Sequence, residues 1–265
     1  GGGRIVKAAL GVSYNGLAYR GWQSQPCGQT VQDRIEAALG RFAGERISTL
    51  CAGRTDAGVH ALMQVVHFDT DRQRDPYAWV RGTNSYLPRD IAVQWAVLAS
   101  GDFHCRACAL SRRYAYVLLE SKVRPSVEAG RVGWSFQALR QEYMEEAANC
   151  LLGEHDFSSF RASECQALSP VKTLHAIHFS KRGAYWRIEF EANAFLHHMI
   201  RNIMGCLVQI GQGKKSPAWM SEVLAARSRK YAAPTFSPDG LYFLGPRYAA
   251  QWGIPERTAA FDFLP

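Results

Sequence analysis

No apolar run in the chain approaches the roughly 20 residues that a membrane-spanning helix needs, so no membrane partner is expected. The residues Gly1 to Arg4 lack the basic stretch followed by an apolar one that marks a secretory signal, and a cytoplasmic location is the expectation. A disulfide framework is wanting as well. The seven cysteines, at 27, 51, 105, 108, 150, 165 and 206, are odd in number. Several lie in apolar surroundings such as Cys150-Leu151-Leu152, which suits reduced, buried thiols. Neither a Walker loop nor a G-x-G-x-x-G turn occurs, which leaves ATP- or dinucleotide-dependent chemistry without support. The H-x-E and P-C-x-x-C pair of the nucleobase deaminases is also missing. Cys105 and Cys108 form a single C-x-x-C. A closed zinc site needs two more ligands, and His104, His197 and His198 are only loosely placed candidates. Neither metal nor cofactor is expected.

What the chain does have is size and positive charge. At 265 residues with 47% hydrophobic content it can bury one large core or two small ones without covalent staples. Its 31 Lys and Arg against 23 Asp and Glu leave a net charge of +8, a balance that favours a polyanionic partner through phosphate neutralisation. Charge alone leaves nucleic-acid binding and unspecific basicity equally open.

The pattern of apolar residues divides into two similar halves. Alternating Ala8, Leu10, Val12 and Tyr14 read as a half-buried strand ending at Asn15-Gly16. Thr30 suits a helix N-cap, Val31, Ile35, Leu39 and Phe42 recur at helical spacing, and Gly44 suits the stop. Strands are predicted at 47–51 and 63–69, a helix from Pro76 to about Tyr86, and a strand at 91–97. The second half repeats the order with a strand at 114–119, a helix at 136–152 and strands at 174–179 and 185–190. Helices at 196–210 and 219–226 and a last strand at 241–244 complete it. The expected class is α+β: two β-α-β-β-α-β halves with mainly antiparallel sheets and helices on one face. The halves are placed at 1–105 and 106–265. No linker rich in Gly, Pro or Ser separates them, so rigid packing around a cleft is expected.

Three segments carry chemistry. Cys51-Ala-Gly-Arg-Thr-Asp-Ala-Gly-Val-His60 sets Asp56, Arg54 and Thr55 between two glycines in a short connection between apolar strands. Such a loop lets backbone approach a ligand while presenting Asp56, and it equally describes a tight turn with Asp56 serving its own backbone. In the helix expected from Leu196, Met199, Ile200, Ile203, Met204, Leu207 and Ile210 leave little room for Arg201 to face only water. A buried guanidinium needs an anion or a set of carbonyls. Phe103-His-Cys-Arg-Ala-Cys-Ala-Leu-Ser-Arg-Arg-Tyr-Ala-Tyr116 sets Arg106, Arg112 and Arg113 beside two tyrosines, a composition suited to RNA phosphates and base stacking. Core packing is the competing reading for Tyr114 and, above all, Tyr116.

Tyr14-Asn-Gly, Gly21-Trp-Gln, Thr30-Val-Gln, Ala52-Gly-Arg-Thr-Asp-Ala-Gly-Val-His-Ala61, Phe103-His, Arg112-Arg-Tyr114, His155-Asp-Phe-Ser-Ser-Phe-Arg161 and Ala192-Asn-Ala-Phe-Leu-His-His-Met together resemble the TruA-type tRNA pseudouridine synthases, in order and nearly end to end. The resemblance implies that Asp56 is the catalytic carboxylate, acting as nucleophile or base. It further implies that Arg54 helps hold RNA, that Tyr114 stacks on the target base, and that Arg201 forms a salt bridge to Asp56. The substrate it implies is the tRNA anticodon stem-loop at position 38, 39 or 40, isomerised by a homodimer without cofactor. Arg20, Arg54, Arg106, Arg112 and Arg113 are the candidate RNA contacts. Asn15, Cys105, Ala107 and Lys172 depart from the family's commoner residues without touching the proposed catalytic set. Two other activities are compatible with the basic composition: a non-catalytic RNA-binding protein and a zinc-dependent RNA-modifying enzyme using Cys105 and Cys108.

Overall fold

The computed structural model describes residues 4–162, 169–256 and 263–264; Cys165 and Gly1 to Gly3 lie outside them. In chain order the elements are β1 (Val6–Tyr14), α1 (Val31–Ala43), β2 (Leu50–Cys51), β3 (His60–Thr70), α2 (Pro76–Asn84) and β4 (Ile91–Ala99). There follow β5 (Ser111–Glu120), β6 (Gly133–Ser135), α3 (Gln141–Asn149), β7 (Gly153–Asp156), β8 (Val171–Arg182) and β9 (Tyr185–Ala192). Last come α4 (Met199–Gly211), α5 (Trp219–Ala226) and β10 (Leu241–Arg247). The class is α+β with mainly antiparallel pairing, as the periodicity predicts. Two compact units form: one from the residues up to Ser111 with Tyr242–Phe263, the other from Arg112–Leu241 with the C-terminal Leu264.

The first unit has the β-α-β-β-α-β order expected of it. Its strands run β4-β1-β3-β10, with the short β2 also on β3. β1 pairs antiparallel with both β3 and β4, so Ala8–Val12 are buried on both faces rather than half-buried. Their small and β-branched side chains suit a central strand. Thr30 caps α1 in a reciprocal capping box with Asp33, worth about 1 kcal/mol, and Gly44 closes the helix in the left-handed conformation. Trp79 of α2 wedges between Phe42 of α1 and Phe68 of β3, with ring centroids 5.2 and 5.1 Å away. That fully buried indole contributes roughly 2–3 kcal/mol and fastens both helices to the sheet.

The second unit has strands β5-β9-β8-β7, all antiparallel, with β6 parallel on β5. The strands β6 and β7 are additions to the expected order. The helix predicted over 136–152 shrinks to α3 at Gln141–Asn149. The strand predicted at 241–244 forms as β10 and pairs in parallel with β3, Tyr242 opposite His60, which attaches it to the first unit's sheet. Among the six described cysteines none is in a disulfide; Cys51, Cys105 and Cys206 are buried, Cys108 and Cys150 are half-buried, and Cys27 is exposed. No helix of the described residues is long and apolar enough to cross a membrane.

Candidate active site

The loop Ala52–Val59 leaves β2 and enters β3 in the first unit, and it is held at nearly every residue. Ala52 N–H donates to Val65 O at 2.9 Å and so continues the β2–β3 ladder for one further residue. At Gly53 the chains diverge and the side chain of Gln64 takes over: its Oε1 accepts from Gly53 N–H at 3.3 Å and its Nε2 donates to Gly53 O. The Thr55 hydroxyl lies 2.7 Å from that of Tyr14, which is buried, and Thr55 O accepts from Trp22 N–H at 3.1 Å. Burial pushes the Tyr14 phenol well above its ordinary range, so it stays neutral and able to donate. Beyond Asp56 a tight turn closes through Val59 N–H to Asp56 O at 3.0 Å, with Gly58 at φ 82 in its third place. Asp56 thus opens a tight turn through its backbone carbonyl, and its residue is half-buried.

The motifs that are scattered along the first hundred residues converge on this loop. Gly21 lies so close that a Cβ there would come within 2.7 Å of Thr55 O, and its φ of +86° favours glycine independently. Gly21 O and Trp22 O in turn accept from Val31 and Gln32 N–H at 3.1 and 3.0 Å, tying the start of α1 to the same place. His60 is 2% exposed, and its Nδ1 accepts from Gly16 N–H at 2.9 Å. A ring N that accepts must be unprotonated, so His60 is held with its proton elsewhere.

Of the predicted arginines in this unit, Arg54 and Arg20 are exposed, the first in the loop and the second beside Gly21. Arg106 is also exposed; its guanidinium bonds the thiol of Cys51, which immediately precedes the loop, and Arg54 adds a second positive charge there. Burial still leaves the Cys51 thiol above its ordinary range. The first unit thus gathers Asp56, Arg54, Arg20 and Arg106 about one loop. Cys105, fully buried, has its thiol pushed up to about 12 by burial and the nearby Cys51, and Cys108 Sγ accepts from His104 N–H at 3.4 Å.

In the second unit Arg112, Arg113 and Tyr114 open β5, opposite Ala192, Glu191 and Phe190 of β9. Arg112 Nη1 donates to Asn193 O at 2.8 Å, and the Tyr114 ring meets the edge of Phe195 at 5.1 Å. Tyr116 is fully buried, its hydroxyl 2.7 Å from Ser237 O, which settles it as a core residue. The helix predicted from Leu196 starts at Met199 because His198 takes the left-handed conformation at φ 64. Such backbone in a residue other than glycine is sparsely populated and usually held by its surroundings. Arg201 follows in the first turn of α4, half-buried, with Nε donating to Phe236 O at 2.8 Å while Phe236 N–H donates to Arg201 O at 3.1 Å.

The model of a family described as tRNA pseudouridine synthase matches residues 11–106 and 147–249. The chain belongs to the tRNA pseudouridine synthase family. Asp56, Arg54, Arg20 and Arg106 lie in the first matched stretch and Arg201 in the second, while Arg112, Arg113 and Tyr114 fall between them. Relatives called tRNA pseudouridine synthase A extend the family likeness to nearly the whole chain. One from Albidiferax ferrireducens (strain ATCC BAA-621 / DSM 15236 / T118) is 69% identical over 260 residues, covering 98% of this chain and all of the relative. One from Acidovorax ebreus (strain TPSY) is 67% identical over 274 residues with the same coverage.

The residues missed by sequence reasoning in this family member are Gln64 and His60 as supports of the loop. The signal for Gln64 was a single amide in the otherwise apolar run Leu62-Met63-Gln64-Val65-Val66.

Proposed function

We propose that the protein isomerises uridine to pseudouridine in the anticodon stem-loop of tRNA, at position 38, 39 or 40, with Asp56 as the reacting carboxylate. The isomerisation of uridine in tRNA follows from membership of the family. The choice of stem-loop, the homodimer, the cytoplasmic location and the residue roles are the proposal's own. The observation that carries it is the placing of one half-buried carboxylate on a loop pinned at Gly53, Thr55, Gly58 and Val59.

The reaction breaks the N1–C1′ bond, turns the base and rejoins it through C5, while a proton leaves C5 and one is gained at N1. Atoms and electrons balance within the nucleotide, so no oxidant, group donor or cofactor is consumed. Asp56 acts by attack on C1′ or C6, or by removal of the 2′ proton. Arg201 is assigned as its salt-bridge partner, keeping the carboxylate ionised, and Tyr114 as the face on which the extruded base stacks. Arg54, Arg20, Arg106, Arg112 and Arg113 are assigned to phosphates, consistent with the +8 charge.

The test is incubation of pure protein with unmodified tRNA in EDTA, followed by mapping of pseudouridine. Product at 38, 39 or 40 from the wild type, and none from Asp56→Ala that still binds tRNA, is the expected result. Product absent from tRNAs bearing uridine there overturns the reading, and product lost only on adding EDTA moves the chemistry to a metal.

A further inference from the structure

β3 offers one edge to two partners. β2 pairs with it at Val66 and His67, and β10 at His60 and Ala61. Between those stretches the β2 ladder ends with Ala52 N–H on Val65 O, and there the loop carrying Asp56 departs. Gln64 sits next to Val65 with its side chain fully buried. Its backbone is engaged on the opposite side, where it lies opposite Val12 of β1.

The Gln64 side chain stands in for the missing strand. A primary amide presents an acceptor and a donor side by side in a plane, as a backbone peptide does to a ladder, with a second N–H to spare. Oε1 faces Gly53 N–H and Nε2 faces Gly53 O, an arrangement that also fixes which end of the amide is which. Gln64 bonds the Tyr14 hydroxyl as well, and Tyr14 bonds Thr55. One buried side chain therefore grips the loop three residues before Asp56 directly and one residue before it through Tyr14. Phe243 closes the far side of Gly53, where a Cβ would lie 3.2 Å from its Cζ.

We propose that Gln64 is a positioning residue for Asp56, its amide replacing the β-ladder at Gly53 so that the loop leaves the sheet in one geometry. The inference rests on the proposed role of Asp56. A reacting carboxylate displaced by about 1 Å loses on the order of 100-fold in rate. Of the arginines assigned to tRNA only Arg54 rides on this loop, while Arg20, Arg106, Arg112 and Arg113 lie outside it, so the loss falls mainly on kcat.

The experiment compares Gln64→Leu and Gln64→Glu with the wild type in single-turnover and steady-state assays on unmodified tRNA across pH, with amide hydrogen exchange at Gly53. For Gln64→Leu the expected result is a fall in kcat of roughly 10- to 100-fold, a KM within about threefold of wild type, and lost protection of the Gly53 amide. Gln64→Glu keeps the shape and needs no new cavity, so it carries the test even where Gln64→Leu folds poorly. Its neutral acid keeps one donor for Gly53 O and an acceptor for Gly53 N–H, whereas its ionised form has no donor for Gly53 O. Burial disfavours the ionised form. The ratio of its kcat to that of wild type, taken where thermal melts show both proteins fully folded, therefore rises as pH falls. A Gln64→Leu chain with wild-type kcat, or a Gln64→Glu chain whose ratio is flat with pH, overturns the positioning role. A wild type that makes no pseudouridine overturns the proposed function instead, and the wild-type arm separates the two.

Discussion

The Tyr14 and Thr55 hydroxyls stand 2.7 Å apart inside the first unit, so the last residue of the first strand holds the residue immediately before Asp56. Neither group has water to replace its partner. Tyr14→Phe removes one hydroxyl and strands the other, and a loss of about 1–2 kcal/mol in unfolding free energy is expected. Chemical denaturation with an unchanged m-value checks it.

Gly21→Ala attacks the same loop from another side. The new methyl meets Thr55 O at 2.7 Å, and a φ of +86° is unfavourable for alanine. Stability is expected to fall by roughly 2 kcal/mol or more, from strain and clash together. The affinity for tRNA should change far less than the turnover, and filter binding beside a single-turnover assay measures the split.

His67 makes the first unit sensitive to acid. Its Nδ1 accepts from Cys105 N–H at 3.1 Å, and its ring packs against Phe103 and His104. Burial, then Lys7, then His104 hold it down to about 4, while Asp69 pulls the other way. The unfolded chain takes up this proton near 6.5 and the folded chain only near 4, so the unfolded state binds more protons between those values. Stability is therefore full above about 6.5 and declines as pH falls towards 4. His67→Gln, which keeps an acceptor and cannot titrate, should flatten that part of the curve of Tm against pH; an equal slope in both proteins would show that other groups dominate.

Asn202 on α4 is the polar centre of the second unit, fully buried. Its Nδ2 donates to Phe160 O at 2.7 Å, while its Oδ1 accepts from Arg229 Nη2 at 3.1 Å and Thr235 Oγ1 at 2.7 Å. Asn202→Leu leaves all three groups short of a partner, and roughly 2–4 kcal/mol of stability should be lost. A thermal melt that shifts by less than a degree would contradict it.

Arg201, one residue earlier, serves both fold and proposed chemistry. Arg201→Ala deprives Phe236 O of its donor and is expected to cost about 1–2 kcal/mol along with turnover. Arg201→Lys keeps a charge but not the planar fork. It should retain tRNA binding with a lowered kcat. Unchanged melting and turnover in Arg201→Ala would exclude both roles.

Much of this was legible along the chain because it depends on neighbours in sequence. The Thr30 cap, the Gly44 stop, the α1 stripe and the first unit's β-α-β-β-α-β order follow from periods of two and 3.6 and from the conformations open to Thr and Gly. The ordered motifs likewise singled out Asp56 and its loop before any geometry was known. Tertiary structure decided what rests on partners distant in sequence. It placed β10 against β3 in parallel, a pairing over some 180 residues that no local period encodes. It cut the helix expected from Leu196 back to Met199, since the left-handed turn at His198 is held by its surroundings rather than by the propensity of histidine. It also turned Gln64, one amide in an apolar strand, into the clamp of the Asp56 loop, because a buried polar group takes its meaning only from the partner that folding brings to it.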